Sequence, residues 1–299
     1  MTLRRNSTRL MQTLEKCDAT TRIAENWHEF QRSNVRVLGI DINTNSTGLV
    51  VLNESGKLDH CDKISTASLC NSDIVSIGHR IEEILIQTRD KLQGAQQLIQ
   101  PDKPIVWFIG IEDFMRAFVA GRFHTKGLIQ LAQLNGIVSY SCWQNFDAKP
   151  THYHPTLARS YFGLSKPSVK SKTDNFSKQL IKDIVLEYVQ DLDPLIRQSM
   201  TSTRTGRPTE QNYDIADAYI IALYTYFQRF QDQIQCDELL LSAFIREYGN
   251  RLNEVKKSVE AKRVAIMTAE QQEHYLRNCF ANAVELWFKK NYMQILSSH

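Results

Sequence analysis

The sequence predicts an α/β fold built on a mixed five-stranded sheet, with helices on its faces and helical extensions at both ends. Three observations predict it. Residues 35–64 hold three short strand-like segments, 35–40 and 47–52 mainly apolar and 58–64 more polar, divided by turn-forming residues, which is the pattern of hairpin-connected strands. Residues 105–111 are an unbroken apolar run, the composition of a strand buried on both faces. Stretches with helical spacing stand between and after these strands, and strands interleaved with helices give an α/β sheet.

Composition sets the frame. A chain of 299 residues, 42% of them hydrophobic, can bury the core of a domain of about 150–200 residues and still carry extensions, so global disorder is excluded. The expected division is a core over 34–230, a basic helical segment at 1–33 and a helical extension at 231–299. The net charge of +3 permits nucleic-acid binding without demanding it, so the distribution of charge is the informative quantity. Cys17, Cys61, Cys70, Cys142, Cys236 and Cys279 show no CxxC pattern. They read as reduced intracellular thiols and not as a disulfide frame or zinc site. No apolar run approaches the ~18–20 residues of a membrane span, and no membrane partner is expected.

The elements follow in order. Arg4, Arg5 and Arg9 lie among hydroxyl residues with no acid before Glu15, a pattern like that of an organellar address, expected to be mitochondrial; a solvated basic helix is the plainer reading. Residues 7–31 predict one amphipathic helix ending before Ser33 and Asn34. The cluster from Asn53 to Gly56 marks the turn between the second and third strands. Ile74, Ile77, Ile81, Ile84, Leu85 and Leu92 recur near helical spacing and predict a helix over 72–92. After Pro104 comes the buried strand 105–111. A helix over 121–135, a fifth strand over 136–143, a Pro-bounded loop and a helix over 175–189 are expected next. Residues 201–212 read as a polar, mobile loop, 213–230 as an apolar helix, and the remainder as two further helices. This order fits the ribonuclease-H-like arrangement, and also the actin-like ATPase half-domain that shares its core.

The first and fourth strands each run into a carboxylate, Asp41 and Glu112. An unpaired acid in an apolar setting is disfavoured by several kcal/mol or more, so such acids are neutral, paired or holding a cation. A third source is the segment DIADAYIIAL, whose i, i+3 spacing puts Asp214 and Asp217 on one helix face. The first helical turn, where these two acids are expected, also favours negative charge. Each feature alone is common: strand-end aspartates abound in α/β proteins, and Asp214 alone reads as a helix cap. Together they predict a shared metal site. Hard oxygen donors without Cys or His select magnesium or manganese. Two carboxylate-held ions are the device by which phosphodiesters are cleaved, one activating water and the other stabilising the leaving oxygen.

GIDINTNSTG, then FIGIEDF, then a lysine-containing loop before a helix, then DIADAYIIAL resemble the RuvC type of Holliday-junction resolvase, including its eukaryotic organellar relatives, over residues 35–228. The resemblance implies catalytic and metal-holding roles for Asp41, Glu112, Asp214 and Asp217. It also implies a magnesium-dependent endonuclease that acts as a homodimer and nicks two opposed strands of branched DNA at a four-way junction. Two departures stand out. The family's Pro-Gly after the first acid is Ile42-Asn43 here, where Asn tolerates the left-handed backbone that Gly would supply. Its usual Gln after the second acid is Asp113, which strand alternation should point away from the metals, or which adds an unwanted charge if the strand ends at Glu112.

From Phe114 to Thr173 the only acid is Asp147, while Arg116, Arg122, Lys126, Lys149, Arg159, Lys166, Lys170 and Lys172 all fall in this interval. A basic stretch directly after a candidate catalytic acid suits a phosphate track. Arg116, Arg122 and Lys126 follow Glu112 most closely, and Lys170 and Lys172 are the candidates for holding the scissile phosphate. Phe114, Phe118 and Phe123 can serve as a base-unstacking wedge or, more simply, as core. Two rivals remain. An ATPase or sugar kinase would need a late glycine-rich adenosine segment, and none follows Gly163. A non-catalytic descendant, binding RNA or a ribonucleoprotein such as an organellar ribosome, would keep the fold and lose cleavage.

Overall fold

The N-terminal region forms two helices, α1 (Thr2–Lys16) and α2 (Ala19–Arg32), where one is expected. Asp18 sits between them at φ 54°, a left-handed conformation that interrupts the helical backbone. The computed structural model describes residues 2–69, 73–113, 125–164, 174–254 and 259–297. These belong to two compact units, one of residues 33–226 and the other of 1–32 with 227–299.

The sheet lies in the first unit. Strands β1 (Val35–Ile42), β2 (Ser46–Leu52) and β3 (Leu58–Ser65) form an antiparallel meander. Helix α3 (Ile74–Ile99) follows, capped by Asp73, whose carboxylate accepts from the Val75 and Ser76 amides at 2.9 and 3.0 Å. It leads to β4 (Val106–Glu112), which lies parallel to β1 with Val35 opposite Val106 and Ile40 opposite Ile111. The complete order is β3-β2-β1-β4-β5. Three antiparallel strands joined to parallel ones through β1 make this mixed sheet ribonuclease-H-like, as expected.

The fifth strand is not the expected one. Residues 125–146 form a single helix, α4 (Thr125–Phe146), and β5 is the three-residue Thr151–Tyr153, parallel to β4. The run from Val138 to Cys142 alternates apolar and polar residues and so imitates a strand. The recurrence that prevails is fourfold: Leu134, Val138, Cys142 and Phe146 are all buried in the core on which α3 also packs. That core covers one face of the sheet through Leu38, Ile40, Ile109 and Ile111.

Helices α5 (Pro155–Tyr161), α6 (Asp174–Leu192) and α7 (Glu210–Gln235) follow. Helix α7 crosses the other face, and its residues to Tyr226 belong to the sheet unit. A Cβ at Gly39 would collide with the backbone of Ala218 and Ala222, and one at Gly48 with the backbone of Asp214. Glycine is what lets the helix lie against the strands. Gly39→Ala is therefore expected to destabilise the protein by about 1–3 kcal/mol through overpacking, read as a lower urea midpoint with an unchanged slope.

The second unit adds α8 (Glu238–Glu254), α9 (Val259–Ala265) and α10 (Ala269–Ser297), three C-terminal helices where two are expected. Trp27, Phe30, Phe230 and Phe288 pack as an aromatic cluster, with Trp27 and Phe230 centroids 4.8 Å apart. Leu14 of α1 is fully buried, and Glu260 accepts from the hydroxyls of Tyr248 and Tyr275, each at 2.6 Å. The pairing of the two chain ends in one unit has no local sequence signal. Among the described residues, no helix is long and apolar enough to cross a membrane.

Candidate active site

Strand alternation explains where the acids converge. Gly39 and Asp41 are two residues apart on β1, and Gly110 and Glu112 on β4, so each acid shares the glycine's face of the sheet. That is the face on which α7 lies. The parallel register places Asp41 beside Glu112, one step beyond the Ile40–Ile111 pair, and Asp41 is directly opposite Gly48 on β2. Close approach of α7 at Gly48 brings Asp214 over the end of β1. Asp214 and Asp217 are each only 8% exposed. They lie beyond the first turn of α7, whose acid is Glu210, so the helix dipole supports them less than the sequence suggests. Asp214 is a helix-interior residue and not a cap.

Electrostatics shows that the four acids act on one another. Burial, then the charges of Glu112, Asp217 and Asp214, hold the Asp41 carboxyl well above the usual carboxylate range, and Asp41 and Glu112 are within hydrogen-bonding reach. Burial raises Glu112 too, with Asp217 and Asp214 adding to the rise and the bond to Asp41 and the Arg159 charge opposing it. Asp214 is raised by burial against the opposing effects of the Ser46 hydrogen bond and of Lys182 on α6. Like charges brought together out of water favour uptake of protons or cations.

Two side chains that no sequence motif marks hold the helix acids. Ser46, at the start of β2, donates its hydroxyl to Asp214. Arg159, on α5, forms an ion pair with Asp217, its Nη2 at 2.7 Å and its Nε at 3.2 Å from the same oxygen. Burial works against the Arg159 charge, and Asp217, Glu112 and Asp41 outweigh it. Helix α5 is aimed by local chemistry: His154 caps it, accepting from the Thr156 amide at 3.2 Å, and Pro155 opens its first turn. Tyr161 and Tyr153 both pack on Tyr224 of α7, with centroids 5.2 and 4.9 Å away. The signal available in the sequence is the repeated Gly-Ile-acid of 39–41 and 110–112; no local pattern marks Arg159 or Ser46.

The remaining candidates divide. Lys126 is exposed near the start of α4, and no ion pair joins it to the acids among the described residues. Arg116, Arg122, Lys170 and Lys172 lie outside the described residues, as do Phe114, Phe118, Phe123 and Lys166. His152 meets the Ser139 hydroxyl at 2.9 Å. The Asn135 amide anchors the end of β4 by donating to the Glu112 carbonyl at 3.0 Å. Asn43 does not adopt a left-handed backbone: Asp18 and Asp147 are the positive-φ non-glycines among the described residues. In the turn after β1 the Asn43 carboxamide oxygen accepts from the Thr44 amide at 2.9 Å, and the Thr47 hydroxyl donates across the turn to the Asn43 carbonyl at 3.4 Å. The Asp113 amide donates to the Tyr153 carbonyl at 2.9 Å, extending the β4–β5 pairing. A cavity of about 440 Å³ beside β5, lined by Tyr140, Trp143 and Lys149 among others, includes none of the four acids.

Donor chemistry fits a hard divalent ion, since the cluster holds carboxylates alone and is short of positive charge. As placed here the acids are not a closed ligand set. Among the described residues, no three His, Cys, Asp or Glu side chains are gathered closely enough to hold a metal, and Asp217 and Asp214 are engaged by Arg159 and Ser46.

No protein-family model matches the chain, and no curated protein matches it. Among solved structures it is similar to the Thermus thermophilus RuvC structure, at 14% sequence identity and a TM-score of 0.40 over 65% of this chain and 95% of that one. It is similar also to T. thermophilus RuvC in complex with a Holliday junction substrate, at 13% identity and a TM-score of 0.38 with the same coverage. Strand order and direction in the sheet itself define the fold.

Proposed function

We propose that this chain is a divalent-metal-dependent, structure-specific endonuclease that resolves four-way DNA junctions by paired nicks, acting as a homodimer. The observation that supports it most is the meeting of Asp41, Glu112, Asp214 and Asp217 at one end of the sheet, from two strands and a helix, with three of the four carboxyls raised by burial and mutual charge. Junction specificity comes from the motif resemblance, and the organellar address from the arginine- and hydroxyl-rich N-terminus.

In this reading Asp41, Glu112, Asp214 and Asp217 would hold magnesium ions, or manganese in their place, which supply Lewis-acid activation of the phosphodiester and of water. The chain's own part is positioning. The glycine-bedded α7 fixes the helix acids against the strand acids, and Ser46 orients the Asp214 carboxylate. Arg159 offsets part of the negative charge that would otherwise repel a phosphate.

The Arg159–Asp217 ion pair and the open ligand set favour a second reading, a nucleic-acid-binding scaffold without cleavage. The experiment that separates them is incubation of a synthetic four-way DNA junction with the protein in magnesium, beside linear duplex and structured RNA, with Asp41→Asn as control. Symmetric paired nicks on the junction, absent in the variant, are expected. Tight binding with no cleavage in magnesium or manganese would leave the scaffold reading standing.

A further inference from the structure

The segment between α6 and α7, expected to be a mobile loop, is a fastened hairpin. Ser202 and Pro208 form an antiparallel bridge. Inside it the Thr203 amide donates to the Arg207 carbonyl at 2.8 Å, and the Gly206 amide to the Thr203 carbonyl at 2.9 Å. Gly206 closes the turn at φ 76°, the glycine-dependent geometry of a short hairpin loop. The Thr203 hydroxyl accepts from the Arg207 amide at 3.1 Å.

The base is bolted to α7 by Asn212, which is 3% exposed. Its side-chain oxygen accepts from the Thr201 amide at 3.0 Å, and its side-chain nitrogen donates to the Thr201 carbonyl at 2.8 Å. The Thr209 hydroxyl donates to the same Asn212 oxygen at 3.2 Å. From β3, Lys63 donates to the Thr201 hydroxyl at 3.2 Å.

This framework carries no apolar cargo. Residues 201–208 are all exposed, so burial of surface does not explain why the segment is ordered. What it presents is charge: Arg204 and Arg207 stand at and beside the tip, no acid occurs between Pro194 and Thr209, and neither guanidinium meets a carboxylate among the described residues. Unpaired arginines held on a rigid support lose little entropy on binding a phosphate. Asn212 is two residues before Asp214. Hairpin base and acid are thus about 3 Å apart along the helix axis, and a three-residue arm adds roughly 10 Å. At one charge per ~3.4 Å of each strand, the arginines reach phosphates roughly three to four positions from one held at the acids.

We infer that the 201–209 hairpin is a phosphate-binding finger, with Arg204 and Arg207 gripping the nucleic-acid backbone beside the acid cluster. The inference rests on the nucleic-acid reading above and adds to it the surface that holds a flanking arm. It is tested by fluorescence anisotropy in chelator, where no cleavage intervenes, with four-way DNA junction, linear duplex and structured RNA titrated over a range of salt. The Arg204→Ala/Arg207→Ala double variant is expected to bind roughly 10-fold more weakly at low salt and to lower the slope of log affinity against log salt by about 1–2. Asn212→Ala keeps both charges and unfastens the base, and is expected to weaken binding about 3-fold while lowering the slope. Wild-type affinity and slope in the double variant would overturn the inference and leave the nuclease reading intact. Wild-type binding by Asn212→Ala beside a defective double variant would overturn the built finger in favour of diffuse charge. Failure of the wild-type protein to bind any of the three would take down both readings.

Discussion

Replacing Asp41 by asparagine is expected to stop cleavage and, in the absence of divalent ions, to make the protein more stable. The loss of activity should be at least about 10²-fold, the scale of removing one preorganised electrostatic group from a reacting centre. The gain in stability follows from the charge on Asp41, which burial and then Glu112, Asp217 and Asp214 all oppose. Relief of that repulsion is expected to contribute about 0.5–2 kcal/mol, the usual size of a single stabilising change.

The pH dependence has a definite sign. A carboxyl whose folded value is raised binds its proton more tightly in the native state than in the unfolded chain. Its penalty is absent below the ordinary carboxylate value near 4, where both states are protonated. It develops as pH rises through that value and is complete above the raised one. The advantage of Asp41→Asn, measured by thermal unfolding in chelator, should therefore be near zero at about pH 4 and grow toward neutrality. Magnesium should stabilise the wild type and the variant less, since binding to the native state alone raises its stability. A variant less stable than wild type at neutral pH in chelator would show that the acids do not repel one another as described.

Arg159→Ala is expected to produce the largest loss of stability among single changes at the site. Its ion pair with Asp217 is mostly withdrawn from water, with side-chain exposures of 23% and 11%. Removing one partner of a buried pair strands the other and costs about 3–5 kcal/mol; partial exposure brings the expectation here to about 2–3 kcal/mol. The stranded group is Asp217, so Asp217→Asn in the same chain should restore most of the loss, with a coupling of about 1–2 kcal/mol in a double-mutant cycle. Urea unfolding of the four proteins in chelator measures it. Additive losses would mean that the ion pair carries no coupling and that Arg159 is a packing residue.

Much of the candidate site is legible in the sequence because it depends on local rules. Asp41 and Glu112 were marked by the apolar strands that end on them, and Asp214 and Asp217 by an i, i+3 spacing in an apolar helix. Such patterns survive without knowledge of neighbours. Arg159 and Ser46 were not singled out, since a single arginine and a single serine have no periodicity, and their roles exist only where α5 and β2 meet α7. The hairpin at 201–209 reads as mobile because its residues are polar. Its order comes from hydrogen bonds to Asn212 and Lys63, which composition does not report.

The strand error has the same origin. Residues 136–143 satisfy a period of two by eye and of four in fact, and only the buried stripe of Leu134, Val138, Cys142 and Phe146 decides between them. The true fifth strand, Thr151–Tyr153, is too short for any pattern and is a strand solely because β4 offers an edge for Gly110, Ile111 and Glu112 to pair with it. By itself, then, the sequence determined the α/β class, the three-strand meander, the central buried strand and the four acids, all of which rest on spacing along the chain. Only the tertiary structure decided which faces meet: glycines 39 and 48 admit α7 to the sheet, and that approach brings Asp214 and Asp217 to Asp41 and Glu112 and turns Arg159 toward them. Contacts of this kind join residues far apart in sequence, and the free energy that selects them belongs to the packed pair of surfaces and to neither segment alone.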